Sequence, residues 1–492
     1  MMQQWTQAPK VAVVGGGLAG LSAACALAET GFRVKVFERR PYLGGRASSF
    51  QHPATGEVVD NCQHVLLGCC TNLLEFYERI GVQDKIRWFD HLTFLEPGGR
   101  ASVIGPSFLP PPLHTAPAFL RAPCLNLPDK VAIAAALAAL TPIKPRDTGE
   151  SFLAWLRRHG QTERAIERFW KTVLVSALNE DIEHVSIEYA AQVMRESFLK
   201  SASAGRMGVP TVPLTELYDK AGDYISARAG EVQFRSSVDS FRAEPGSVKL
   251  FAGGEEQFDF AVFAVPFDAL LRILPQTSAS DPLRQTLSNF NTSPITGIHL
   301  WFDRQISDLE HAVLLDRTIQ WMFHKSKLLG RSRSNGKSAV GGDGSPVSVT
   351  TNKDQGSAVD GQGSYVELVV SSSKTLIEKS RQEIIDLALS ELGEFFPESR
   401  HAKLVKSTVI KEVHATYSPK PGIDAYRPRP ETVWPRVFLA GDWTATGWPA
   451  TMEGAVRSGY AAAQCVARVA GQRKAAFLVP DLPAKGFMRI FG

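Results

Sequence analysis

Cys-x-x-Cys pairs and zinc-like Cys/His spacings are both absent, although six cysteines are spread through the 492 residues. No zinc site is expected, and the thiols read as reduced groups of a cytosolic protein. Long apolar runs are missing too: the longest, Val131 to Leu140, is too short to span a bilayer. The first ten residues hold one lysine and no apolar core, so no signal peptide is expected. Net charge is only +4, with no basic block or aromatic–basic interleaving, which argues against nucleic acid as a partner. No repeat unit is evident. What remains is an ordinary composition, 44% hydrophobic and 21% charged, in a chain long enough for about two or three domains and a sizeable core.

What is present is concentrated between Val11 and Arg46. The run Val11-Ala12-Val13-Val14 is short and β-branched, as a buried parallel strand should be. It breaks into Gly15-Gly16-Gly17-Leu18-Ala19-Gly20. Gly15 permits a tight turn, Gly17 lets the backbone approach a pyrophosphate, and Gly20 lets the next helix pack close to the strand. From Leu18 to Ala28 small apolar residues without proline predict a buried helix, whose first N–H groups, at Leu18 and Ala19, face the phosphates. Gly31 ends it, and a second strand, Arg33 to Phe37, delivers Glu38 roughly 20 residues past the glycines, where a carboxylate accepts ribose hydroxyls and repels a 2′-phosphate. The order strand, turn, helix, strand, acid within one βαβ unit makes this a dinucleotide site. Arg39-Arg40-Pro41-Tyr42-Leu43-Gly44-Gly45-Arg46 adds a second glycine pair and a guanidinium suited to bidentate phosphate binding.

On these residues the chain resembles the FAD-dependent amine oxidase and phytoene desaturase superfamily, whose members carry a GGR element just after the ribose-binding Glu. The resemblance implies FAD as cofactor, with Arg39, Gly45 and Arg46 beside it and Arg46 on its pyrophosphate. The string DNCQHVLLGCCTNLL from Asp60, followed by LTFLEPGGR from Leu92 to Arg100, narrows the likeness to the hydroxysqualene dehydroxylases, the squalene-associated FAD-dependent desaturases of bacterial hopanoid pathways. Asp60, Asn61, Gln63 and His64 then cluster where substrate and flavin would meet; a hydrogen-bond network that merely shapes the turn is an equal reading.

Further along, Pro110-Pro111-Pro112 predicts a stiff extended stretch, and Pro128-Asp129 opens a helix from Lys130 to Leu140, closed by Pro142. Its Ala/Leu surface suits a core, an apolar tunnel or a membrane. Phe152, Trp155 and Leu156 share one helical face, as do Ile166, Phe169 and Trp170, and suit either an alkyl-chain pocket or a core. Strands are expected over Glu231–Arg235, Phe258–Val265, Ser293–Phe302, Tyr365–Ser371 and Ala402–Ala415, with a helix over Thr375–Phe396. By the resemblance, Val238 holds the adenine through its backbone. Leu329 to Ser364 is rich in Gly, Ser, Asn and Asp and reads as a disordered insertion. Near the end, Arg436–Asp442 predicts a strand closing in Gly441-Asp442, and Thr451–Gly459 a small-residue helix; Asp442 faces the ribityl or pyrophosphate portion and Met452 the flavin N1/O2 edge. The tail Phe477–Gly492 mixes large apolar residues with Lys485 and Arg489, and either packs on the body or touches a membrane.

With flavin elements at both ends, the expected fold is α/β: a Rossmann-like FAD-binding domain assembled from discontinuous segments (1–75, 225–290 and 433–476), an interleaved α+β substrate domain (76–224 and 291–432, the latter holding 329–364), and a tail (477–492). The resemblance implies reduction of hydroxysqualene to squalene by hydride from reduced flavin with loss of water, an electron donor of unspecified chemistry, and a cytoplasmic protein with peripheral contact to the inner face of the cell membrane. Asp60 and His64 are the candidate proton donors. The alternatives are a carotenoid or phytoene-type desaturase, an amine oxidase, whose aromatic sandwich and lysine have no evident place here, and a flavin-less prenyl-binding escort protein.

Overall fold

The computed structural model describes residues 8–141, 147, 149–330, 363–472 and 475–491. Lys10–Val14 (β1) is buried from Val11 onward, so nothing polar interrupts a strand covered on both faces. It turns into Leu18–Glu29 (α1), where every residue from Leu18 to Ala28 is buried, and returns as Arg33–Phe37 (β2). These strands are central in a five-stranded sheet with the order Glu231–Gln233, β2, β1, Phe260–Phe263, Val437–Leu439. All four pairings are parallel. Val11 lies opposite Phe260 and Ala261 opposite Val437, so strands from both ends of the chain share one sheet. The last long helix, Met452–Val469, packs against α1, and Ser22 Oγ donates to Val456 O across the contact at 3.3 Å. Small side chains on both helices permit that approach.

A second, mostly antiparallel sheet of seven strands has its longest strands at one end, Leu404–Tyr417 at the edge followed by Thr292–Phe302 and Ser364–Ser371, with Arg381–Phe395 packed over one face. The helical lobe holds Leu127–Leu140 (α2), Phe152–Arg158 and the continuous helical stretch 163–178. The fold is the predicted α/β type.

Several local expectations shift. α2 starts at Leu127 because Asn126 and Asp129 form a reciprocal capping box; Pro142 lies outside the described residues. The helix expected over Thr375–Phe396 starts at Arg381, where Ser380 caps the Glu383 N–H and Glu383 caps back. The strand expected to Arg235 stops at Gln233, and that expected over Phe258–Val265 occupies Phe260–Phe263. Residues 331–362 of the expected insertion lie outside the described residues; its edges are ordered, 329–330 closing the helix Lys325–Gly330 and Ser364 opening a strand. Phe152, Trp155, Leu156, Ile166 and Trp170 are buried in the lobe core, with Trp170 Nε1 donating to Gln161 Oε1 at 2.8 Å. The core reading of those aromatics therefore holds over the alkyl-pocket reading.

Candidate active site

A cavity of about 630 Å³ runs along the carboxyl ends of β1 and β2 and on to the second sheet, the place where open parallel sheets bind ligands. Gly15, Gly17, Leu18, Ala19, Glu38, Arg39, Gly45, Arg46, Val238, Gly441, Asp442 and Met452 all line it. Gly20 does not. Its place is behind the wall, where a Cβ would lie 1.9 Å from the Gly15 carbonyl oxygen. Gly15 itself has φ +110°, a conformation L side chains rarely adopt.

The wall fits a dinucleotide. Gly17 caps α1 without any side-chain acceptor, which leaves first-turn N–H groups of α1 for an anion. Glu38 is fixed at the end of β2 by two backbone donors, Gly16 N–H to Oε2 at 2.7 Å and Arg40 N–H to Oε1 at 2.8 Å. Arg46 Nη2 donates to Asp442 Oδ1 at 2.8 Å and Nη1 to Ala415 O at 2.6 Å. The guanidinium expected on the pyrophosphate is thus held by the carboxylate expected beside it, and the N-terminal and C-terminal elements meet in an ion pair. FAD, when bound, supplies hydride transfer here; the glycine turn, Glu38 and Arg46 would hold its nucleotide half and Asp442 and Met452 its other half.

The polar turn after Asp60 divides. Asn61, Gln63 and His64 line the cavity, whereas Asp60 does not. Asp60 is buried and accepts from Lys325 Nζ at 2.6 Å, Ser49 Oγ at 2.6 Å and Leu214 N–H at 3.3 Å. Burial alone would raise its pKa, but the Lys325 ammonium and these hydrogen bonds outweigh it and hold the carboxyl below its ordinary range. An ionised, paired carboxylate behind the wall is not a proton donor, so that expectation for Asp60 is corrected. His64 reaches the wall, yet burial lowers its pKa and favours the neutral ring. Its Nδ1 lies 2.7 Å from Cys62 O, and a carbonyl only accepts, so Nδ1 carries the hydrogen and Nε2 keeps a lone pair. His64 is therefore built to accept a proton or hydrogen bond rather than to donate one.

Five residues that sequence reasoning missed shape this wall. Lys325 is almost fully buried and donates to Gln63 Oε1 at 2.8 Å as well as to Asp60. Glu367 lies 3.5 Å from the same ammonium; burial dominates and pushes its carboxyl up to about 7. Below about pH 7 Glu367 takes up its proton, and the buried trio then sets one cation, Lys325, against one anion, Asp60. Glu412 lines the cavity and accepts from Asn61 Nδ2 at 3.0 Å. Arg427, buried, donates to the carbonyls of Asp442 at 3.0 Å and Trp448 at 2.7 Å, fixing the loop after the last strand. Glu453 accepts from the N–H groups of Asn72 and Leu73 and ties the start of Met452–Val469 to the helix Thr71–Arg79. One of the five left a sign in the sequence: Glu367 interrupts the apolar run Tyr365–Val370. Where the cavity meets the second sheet, Ile295, Trp321, Phe323 and Val369 form an apolar patch beside the polar Ser176, Asn179, Ser371 and Thr416; the Trp321 and Phe323 rings stack at 5.5 Å. The buried lysine found here is not on that wall.

The sequence profile described as "Flavin containing amine oxidoreductase" matches residues 18–467. The 15-cis-phytoene desaturase of Synechococcus elongatus is 28% identical over 481 residues, covering 93% of this chain and 95% of its own. The zeta-carotene desaturase of Zea mays is 28% identical over 484 residues, covering 92% and 82%. Among solved structures, an oxidoreductase from Methanosarcina mazei superposes with TM-score 0.66 at 17% identity, covering 92% of this chain and 98% of its own. Putrescine oxidase bound to putrescine does so with TM-score 0.64 at 16%, covering 95% and 98%. These relatives carry the superfamily but not the hydroxysqualene dehydroxylase branch the sequence suggested. The chain belongs to the flavin-containing amine oxidoreductase family and is an FAD-dependent oxidoreductase.

Proposed function

We propose that the enzyme exchanges hydride between FAD and a linear polyisoprenoid lying along the Ile295, Trp321, Phe323 and Val369 wall. The observation that carries this reading is one cavity whose nucleotide-type wall continues, past the Asn61–His64 turn, into an apolar wall of the second sheet. An apolar chain is recognised there by burial, at about 25 cal/mol for each Å² removed from water.

Two reactions of this class run in opposite directions. Desaturation removes hydride and a proton; it is supported by the curated relatives, which are named as phytoene and zeta-carotene desaturases, and by His64 Nε2 as a proton acceptor. Reductive dehydroxylation of hydroxysqualene to squalene is supported by the strings from Asp60 and from Leu92 to Arg100. In that direction the flavin hydride replaces the hydroxyl, which takes a proton from solvent and leaves as water, while His64 Nε2 accepts a hydrogen bond from that hydroxyl and orients it.

Anaerobic mixing of dithionite-reduced protein with hydroxysqualene, and of oxidised protein with phytoene, separates the two. Squalene formation with return of the oxidised flavin spectrum selects dehydroxylation, and flavin bleaching with a new conjugated product selects desaturation. Turnover of neither, with intact FAD, overturns the polyisoprenoid reading.

A further inference from the structure

One charged side chain stands beside the apolar patch of the cavity. Five carboxylates line the cavity, and four of them follow the carboxyl ends of strands of the parallel sheet. Glu38 is held by the N–H groups of Gly16 and Arg40, Asp442 is paired with Arg46, Asp268 lies 3.6 Å from Arg272, and Asp239 is exposed beside Val238. The fifth, Glu412, is on the second sheet, directly across the ladder from Ile295 of the apolar patch. Residues opposed in this way share a face, with Cβ atoms about 5 Å apart, so the carboxylate and the Ile295 side chain emerge side by side.

The local sequence explains this placement. Pro294 has no N–H to give the ladder, and between Ser293 and Ile295 the register shifts, so that this one residue faces Val413, His414 and Ala415 on the partner strand. Glu412, Ala415 and Thr416 thereby reach the cavity wall together, and the Ala415 carbonyl accepts from Arg46 Nη1. Asn61 Nδ2 spans the junction, donating to Arg46 O at 3.1 Å and to Glu412 Oε2 at 3.0 Å. Among the described residues that is the only hydrogen bond to the carboxylate, and no ion pair engages it. The nearby bases are committed elsewhere: Lys411 Nζ donates to the carbonyls of Ile377 and Lys379, His414 meets Thr292 Oγ1, and Arg46 donates to Asp442 and Ala415.

A hydrocarbon in its ground state gains nothing from such a group. An apolar chain that fills the patch removes water from Glu412 and offers no partner in return. The reacting carbon is different, because it carries positive charge in both directions of hydride exchange. In desaturation it gives up a hydride, and the adjacent carbon then loses a proton to His64 Nε2; in dehydroxylation the hydroxyl departs as water, with a proton from solvent, and the hydride fills the vacant position. An anion fixed in a wall of low dielectric stabilises charge more strongly than water-screened charges do, and it acts only as that charge develops.

We propose that Glu412 is the counter-charge for the allylic cation, with the reacting carbon held at the junction of Asn61, Glu412 and Ile295. The proposal rests on the polyisoprenoid reading above and holds for either direction of the reaction.

Titration of the FAD-saturated protein with two linear polyisoprenoids of equal length tests it, read by the change in flavin absorbance. One is a hydrocarbon; in the other a protonated tertiary amine replaces the allylic carbon. Wild type is expected to bind the ammonium analogue at least about tenfold tighter, as a mimic of the cation. Glu412→Gln, which keeps an oxygen for Asn61, is expected to remove that preference and to bind the hydrocarbon no more weakly. With substrate, the same variant is expected to lose about 100-fold or more in kcat with KM little changed, a split that a side chain serving only to shape the wall would not give. Hydrocarbon binding without a preference for the ammonium, or a preference that survives Glu412→Gln, overturns the role of Glu412 and leaves the polyisoprenoid reading standing. Binding of neither long compound overturns both. A short alkylammonium that binds as tightly as the long one marks an amine site and overturns the counter-charge.

Discussion

Lys325→Met is expected to destabilise the folded protein by about 3–5 kcal/mol, the range seen when one partner of a buried charge pair is removed. The ammonium satisfies Asp60 and Gln63 and lies 3.5 Å from Glu367. Without it, Asp60 keeps only Ser49 Oγ and the Leu214 N–H in a site that water does not reach. The pH dependence divides by sign. Asp60 has a folded pKa below its unfolded one, so its stabilisation is present above the unfolded pKa and is lost as pH falls through the folded value. Glu367 is the opposite case: raised from 4.5 to about 7, its favourable contribution is present below 4.5 and is lost as pH rises through 7. Glu367→Gln is therefore expected to remove a decline in stability between those two values, on the order of 3 kcal/mol. Urea unfolding of FAD-saturated protein across that pH range measures both effects. A Lys325→Met midpoint equal to wild type, or a Glu367→Gln profile with the same slope, contradicts the buried trio.

Gly20→Val is expected to abolish FAD binding, with a loss in affinity of at least about 100-fold, equivalent to about 3 kcal/mol. The collision begins at the Cβ itself, 1.9 Å from Gly15 O, and that oxygen belongs to the turn that faces the cofactor. Relief requires α1 to move off β1, which displaces the first-turn N–H groups. Gly20→Ala carries the same Cβ and is expected to fail as well. Fluorescence titration with FAD reads the effect; an alanine variant that binds like wild type would show that the helix and turn are not locked in this way.

The fold was legible where its determinants are local. β2 has the predicted bounds, and α1 starts where expected, because glycine turn, small-residue helix and terminal acid follow one another within a single βαβ unit. The last strand and the Met452 helix were legible for the same reason. The substrate side was not. Lys325 and Asp60 are 265 residues apart in sequence, and nothing adjacent to Lys325 announces a buried cation. Arg427 and Glu453 likewise act through distant backbone groups. The aromatic faces at Trp155 and Trp170 had the right periodicity for burial, but periodicity cannot distinguish a core from a ligand wall.

The central claim is that elements from the two ends of the chain close on one FAD. Titration of the deflavinated full-length protein with FAD, alongside Glu38→Ala and Asp442→Ala, tests it most directly. The account predicts one FAD per chain for wild type and at least about tenfold weaker binding for each variant, the effect of losing a charged hydrogen-bond partner. Wild-type affinity in either variant, or a wild-type chain that neither carries nor rebinds FAD, would contradict it.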